Sequence, residues 1–443
     1  MTSSHPPTAP CQWFDRLARP LDRRSAPRLA LLLLGSLLAR GRRTVTAWIR
    51  AAGLGGRFRS CYIAVAAAGR GADRIASRLL AEVVAPLLQG ATRLTLALDD
   101  TPTKRHGPHV QGAGVHHNPA PGPAGSPYLY GHVFVVLGLL VAHRAWGTIA
   151  LPLLARLYVR AKDMPAIDPR LRPAFRTKLE LAVELLRWAR PRLAPLGLPI
   201  WVVADGAYAK APFLKPAAAL GVTVVSRLRK DSALRTLPGP RPPGRRGRPR
   251  IYGEGVVDLA KRGGQRRGWS TGTFTLYGAA TVKRYKTFLA TWRPVGGPIR
   301  VVLVDEPTGW RAYFCTDTSA GVADILGAVA DRFGLETTFR DCKQVVGAGQ
   351  QQVRSLWASV GAFHVCLWTF TMTEAWAWGR GSGEVADRSA SPWDRAPRRP
   401  SHADKRRAWR RELLGEEIRA ALRPGVTEAE IRATADRLLS LAA

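Results

Sequence analysis

The order of apolar runs between residues 93 and 228 constrains this chain more than any other feature. Residues 94–98 form a short β-like run that stops at Asp99 and Asp100; after a loop rich in Gly, Pro and His come two more, 132–141 and 148–159. Residues 175–193 then repeat with a helical period. Residues 200–204 are continuously apolar and end in Asp205, 211–220 read as a helix, and 222–228 as a further strand. The order is strand, strand, strand, helix, strand, helix, strand.

That order matches an α/β architecture of the RNase H-like type, in which a three-stranded antiparallel meander is extended by parallel strands through helical crossovers. Residues 1–90 read as a helical N-terminal region, with Ala47, Trp48 and Ala51 at helical spacing beside Arg42, Arg43 and Arg50. A small DNA-binding domain and an ordinary solvated helix both fit this segment. The catalytic core is expected over 91–378, divided by a β-rich insertion at about 231–317 that begins with a linker of Pro, Gly and Arg. Residues 379–443 read as a basic polar linker and C-terminal helices.

Charge narrows the partners. The chain carries 67 Lys and Arg against 32 Asp and Glu, a net +35 that runs along its whole length. Such an excess attracts a polyanion, and Arg matches phosphate oxygens with its planar fork. A GC-rich genome also favours Arg over Lys, but that bias does not explain so few acids. The five cysteines, Cys11, Cys61, Cys315, Cys342 and Cys366, form no CxxC pair, which argues against a disulfide framework and a structural zinc site. The apolar run 29–38 is too short to span a bilayer and is followed by Arg40, Arg42 and Arg43 instead of a cleavage site. A cytoplasmic protein without membrane association is expected. No Gly-rich loop with a following Lys and Ser or Thr is present, so no nucleotide cofactor is expected.

Phosphodiester chemistry calls for clustered carboxylates, because hard divalent cations prefer oxygen ligands. Asp100 and Asp205 each follow a β-like run, on strands that are neighbours in such a sheet. Asp99 competes with Asp100, and because adjacent strand residues point to opposite faces, only one of them faces a given site. A third acid, Glu336, shares a helical stripe with Arg332, Arg340 and Lys343. The stripe suits a surface salt-bridge ladder, and equally a metal-binding Glu336 flanked by cations that hold DNA phosphates.

Taken together these residues resemble the DDE transposases of bacterial insertion sequences, over roughly residues 90–378. The branch it is most similar to ends in a motif of Tyr, Arg, Glu and Lys. Arg332, Glu336 and Lys343 match its spacing, while Val329 stands at the Tyr position. The segments LALDDTPTKR, with Asp100 before Thr101, and VVADGAYAK, with Asp205 before Gly206, resemble the family's other two motifs. The resemblance implies catalytic and metal-binding roles for Asp100, Asp205 and Glu336, two Mg²⁺ or Mn²⁺ ions, and cleavage and strand transfer at transposon ends. It also implies DNA partners, the terminal inverted repeats and the target, a homodimer in the synaptic complex, and an insertion that contacts the transposon end. Val at 329 has no hydroxyl to offer the DNA backbone. A transposase-derived DNA-binding protein without catalysis, and a nuclease or resolvase without strand transfer, are the rival readings.

Three further signals accompany the acids. Arg246, Gly247, Arg248 and Pro249 spell the core of an AT-hook, and equally suit a plain basic linker. Trp310 is placed where the insertion of this family offers an aromatic to an extruded base, although a core role suits a single Trp as well. His106, His109, His116 and His117 read as polar loop residues near DNA, with no cysteine beside them to complete a metal site.

Overall fold

The computed structural model describes residues 10–118, 125–241, 243–244, 246–386, 393 and 398–442. Its spine is one mixed sheet of twelve strands. β1 (Leu94–Lys104), β2 (Gly114–His117), β3 (Tyr128–His143) and β4 (Gly147–Tyr158) are joined by antiparallel pairing around β3. β5 (Ile200–Ala204) and β6 (Thr223–Leu228) then extend β1 in parallel. The expected strand and helix order is therefore present. The crossovers between the parallel strands follow the rule that such strands need a helical return.

Residues 231–317 do not form a β unit apart from this sheet. They supply β7 (Leu234–Arg235), β8 (Val256–Val257), β9 (Ser270–Leu276), β10 (Ala279–Trp292), β11 (Gly297–Asp305) and β12 (Arg311–Cys315), and β12 pairs antiparallel with β6. β9 and β10 form a hairpin, turned at Tyr277 and Gly278. Both have positive φ, 55° and 80°, the signature of a tight primed turn that normally selects Gly or Asn.

The N-terminal helices are α1 (Pro10–Ala18), α2 (Ala26–Leu38), α3 (Val45–Ala51), α4 (Phe58–Arg70) and α5 (Ala72–Leu79). They share one continuous core with the sheet. α6 (Lys178–Leu193) and α7 (Ala211–Ala219) are the crossovers, and α8 (Leu259–Gly264) is a short insertion helix. α9 (Val322–Asp341) and α10 (Leu356–Ala377) follow the last strand. α11 (Ser382–Val385), α12 (His402–Ala421) and α13 (Glu428–Ala442) close the chain.

α10 is buried around its whole circumference, as a helix apolar on every side must be. Three of its polar groups have a shared task. β4 pairs only with β3, so its other edge exposes backbone groups that need partners. The Ala155 N–H donates to His364 Nε2 at 3.0 Å, Trp368 Nε1 donates to Leu153 O at 3.1 Å, and Thr371 Oγ1 to Pro152 O at 2.7 Å. Thr338 on α9 adds a bond to Ala150 O at 2.9 Å. Against its other side α4 approaches very closely: a Cβ on Gly361 would lie 1.9 Å from Val65 O, and one on Gly69 2.0 Å from Trp357 O. Only glycine fits these two positions.

Candidate active site

β1 does not stop at the acids. It continues to Lys104, paired with β3 at both Asp99 and Asp100, so strand alternation governs both side chains. Ala97 pairs with Gly138, whose Cβ direction meets Leu335 of α9. Residues of that parity, Asp99 among them, therefore face α9, and Asp100 faces away.

The contacts agree with this parity. Arg332 Nη1 donates to Asp99 Oδ2 at 2.6 Å, and Nη2 donates to Glu336 Oε1 at 2.8 Å. One guanidinium thus reaches Asp99, 233 residues earlier in sequence, and Glu336 on its own helix. Asp205 stands immediately after β5, at the start of the short helical turn 206–208, without a side-chain capping bond. Because Leu98 pairs with Ala204, the next position outward sets Asp205 beside Asp99 on the same face. Burial above all, with smaller pushes from the charges of Asp100 and Asp205, raises the Asp99 carboxyl to about 6 against the opposing pull of Arg332.

Asp100 belongs to a second cluster on the other face. Lys178 Nζ donates to its Oδ2 at 2.5 Å from the start of α6, and the Tyr208 hydroxyl donates to its Oδ1 at 3.4 Å. Burial first, then Asp100 and Asp99, raise the Tyr208 phenol well above its ordinary value. The motif preference for Asp100 is therefore not matched by the geometry: the fold brings Asp99, not Asp100, to Glu336. The physical reason is the continuation of β1, which the abrupt polarity at residues 99 and 100 conceals.

Of the remaining cations on the α9 stripe, Arg340 is exposed and lies 3.4 Å from Asp341. Lys343 sits in a wider helical turn, 342–346, that follows α9, and burial lowers its amine. Neither joins the Asp99 and Glu336 pair. Val329 is packed against the core. Asp205 opens onto a cleft of about 480 Å³ whose other walls include Arg227, Arg229 and Lys230. Lys230 Nζ stands 4.9 Å from the Trp310 ring centre. Trp310 immediately precedes β12 and is half-buried against Gly263. Sequence reasoning missed Lys178, Tyr208 and Lys230: Tyr208 stands inside the VVADGAYAK segment without being singled out, and nothing in the local patterns of Lys178 and Lys230 marks them.

Arg246 and Arg248 lie in an exposed loop between β7 and β8, where Arg241 Nη2 donates to Gly247 O at 2.9 Å. His106, His109 and His117 are exposed, while His116 is buried and its imidazole is held below the usual range, chiefly by burial. Cys61, Cys315, Cys342 and Cys366 are free and buried. The Cys11 side chain lies outside the described residues.

Three carboxylates are the hard oxygen donors that a divalent cation takes, so the donor chemistry fits such an ion. Their present spacing is closed by Arg332, and among the described residues no three His, Cys, Asp or Glu side chains form a group that could hold a metal. No helix among the described residues is long and apolar enough to cross a membrane.

The family described as DDE superfamily endonuclease matches residues 16–293, more than half of the chain. The matched stretch begins in the N-terminal helices, well before residue 90, and contains Asp99, Asp100 and Asp205. It ends ahead of α9, so Arg332, Glu336, Arg340 and Lys343 lie beyond it. No curated protein matches the chain.

Proposed function

Because the chain belongs to the DDE superfamily endonucleases, whose substrate is DNA, we propose that it is a transposase built on an RNase H-like core. It binds the terminal inverted repeats of its element, cleaves there and transfers the freed strand to target DNA, acting as a homodimer when two ends are paired. Asp99, Asp205 and Glu336 are its acidic set, with Asp100 held in reserve on the opposite face. The observation that carries this reading is the Arg332 bridge from Asp99 to Glu336, which draws β1 and α9 together at the edge where Asp205 emerges.

The three carboxylates would hold Mg²⁺ or Mn²⁺, two ions in this reading, and such ions neutralise phosphoryl charge and activate the attacking oxygen. Arg332, Arg340, Lys343 and the Arg227 to Lys230 rim offer cations to the DNA backbone. Trp310, already stacked under Lys230, is the aromatic that an unpaired base would meet. Arg246 and Arg248 are exposed as a minor-groove reader requires.

The test is nicking of a duplex carrying the element's own terminal repeat, by four variants beside the parent. Asp99→Asn, Asp205→Asn and Glu336→Gln are each expected to lower the rate at least about 10²-fold, with DNA binding retained. Asp100→Asn is expected to retain more than a tenth of it. A dead Asp100→Asn beside an active Asp99→Asn would return the first acid to residue 100.

A further inference from the structure

Beyond the acids, β1 leads into a second site. A cleft of about 400 Å³ lies where the end of β1 meets the segment before α3 and the loop 349–354, and Arg42, Lys104, Arg105, His106 and Arg354 line it. No acid lines it. Arg42, Lys104, His106 and Arg354 are exposed, and among the described residues none of the five forms an ion pair.

Arg105 is unlike the others, being only 5% exposed. Its Nε donates to His132 Nδ1 at 3.0 Å, and Nη1 donates to Gln351 O. Nη2 is buried without a partner. Burial lowers the guanidinium to about 10, and His132, itself lowered to about 3 mainly by burial, supplies no counter-charge. Burying a cation with no anion beside it is costly. Folds tolerate such a group where an incoming anion compensates it. Four further cationic or imidazole side chains around the same cleft deepen that preference.

We propose that this cleft binds a phosphate group, and that the phosphate belongs to the backbone of the DNA on which the acids act. The second clause rests on the function proposed above. Residue 105 continues the face of β1 that carries Asp99, six positions on, which is about 20 Å at strand spacing. A duplex rises 3.4 Å per base pair, so the contacted phosphate lies about six base pairs from the bond that is cut. Free phosphate shares the chemistry, and the experiment separates the two sources.

The full chain is used, with Arg42→Ala/Arg354→Ala as the principal variant because both side chains are exposed, and Arg105→Gln as the second. Inorganic phosphate, added at constant ionic strength, is expected to raise the melting temperature of the parent and not of the double variant. DNA affinity of the double variant is expected to fall about tenfold at low salt, with a log–log salt slope smaller by about 1. Methylphosphonate placed five to seven base pairs from the cut is expected to weaken the parent and leave the variant unmoved. If phosphate protection is lost while the salt slope and the methylphosphonate response stay at parent values, the ligand is a free anion and the DNA clause is overturned. Should the parent gain no protection and the variant keep the parent's DNA affinity, the site itself is overturned. Nicking by the Asp99 and Glu336 variants is scored separately: an error in the acids moves the methylphosphonate position, while phosphate protection and the salt slope still test the cleft.

Discussion

Arg332 holds two carboxylates that would otherwise repel each other across a partly buried gap. Its side chain is 20% exposed and that of Asp99 19%, so the pair has lost much of its water and the guanidinium is the compensation. Arg332→Ala leaves Asp99 and Glu336 without the cation that bridges them, and in metal-free buffer a loss of about 1 to 3 kcal/mol is expected. A cation that binds the folded state alone stabilises it by mass action. Adding Mg²⁺ should therefore raise the melting temperature of Arg332→Ala more than that of the parent, whose guanidinium competes for the same carboxylates. Equal Mg²⁺ shifts in both proteins would mean that Arg332 does not guard the acids. At this scale the sequence was only partly legible. The four-residue spacing of Arg332 and Glu336 was visible in the helical period and is made as a contact. The choice between Asp99 and Asp100 was not, because it depends on whether β1 continues, and Pro102 and the polar run after it mask a strand that β3 holds in register.

Helices show a similar division between what pattern records and what packing decides. The work of His364, Trp368 and Thr371 of α10 along the β4 edge was hidden from the sequence, because it depends on partners 209 to 219 residues away. The tie between α10 and α12 was equally hidden. Glu374 is buried at 3% exposure, with Lys405 Nζ at 2.5 Å and His402 Nδ1 at 2.7 Å. Burial alone would raise its carboxyl, yet Lys405 and then His402 outweigh it and hold the group at about 2. The folded pKa is thus below the ordinary 4.5. The resulting stability is fully present above that value and is lost as pH falls from about 4.5 towards 2. Lys405→Met should cost about 3 to 5 kcal/mol at pH 7, since it strands a buried carboxylate. Its deficit should narrow below pH 4.5, where protonation of Glu374 removes the stranded charge. Urea unfolding of parent and variant at pH 7 and pH 3.5 measures this, and a deficit that stays constant would show that the pair is not charged in the fold.

At the scale of the whole molecule, the net +35 acts through counterions more than through any single contact. DNA carries a condensed cation atmosphere, and each phosphate that a protein neutralises releases part of it, so affinity falls linearly with salt on logarithmic axes. The cations near the acids, the cleft around Arg105 and the exposed Arg246 and Arg248 loop lie on separate segments. They add up to six or more phosphate contacts if a duplex engages them together. Binding to a duplex should then weaken about 10³-fold or more between 50 and 200 mM salt. The loop makes a distinct contribution: Arg246→Ala/Arg248→Ala should weaken binding to A·T-rich duplexes more than to G·C-rich ones, because a narrow A·T minor groove concentrates negative potential around an inserted Arg. Solvated surface charge that merely keeps the protein soluble predicts a shallow slope and the same loss on both sequences. Titrating labelled A·T-rich and G·C-rich duplexes of equal length at four salt concentrations distinguishes these outcomes. A parent slope smaller than about 3 would mean that the charge is spread over surfaces no single duplex can reach, and the proposed path from the acids to the Arg105 cleft would fail with it.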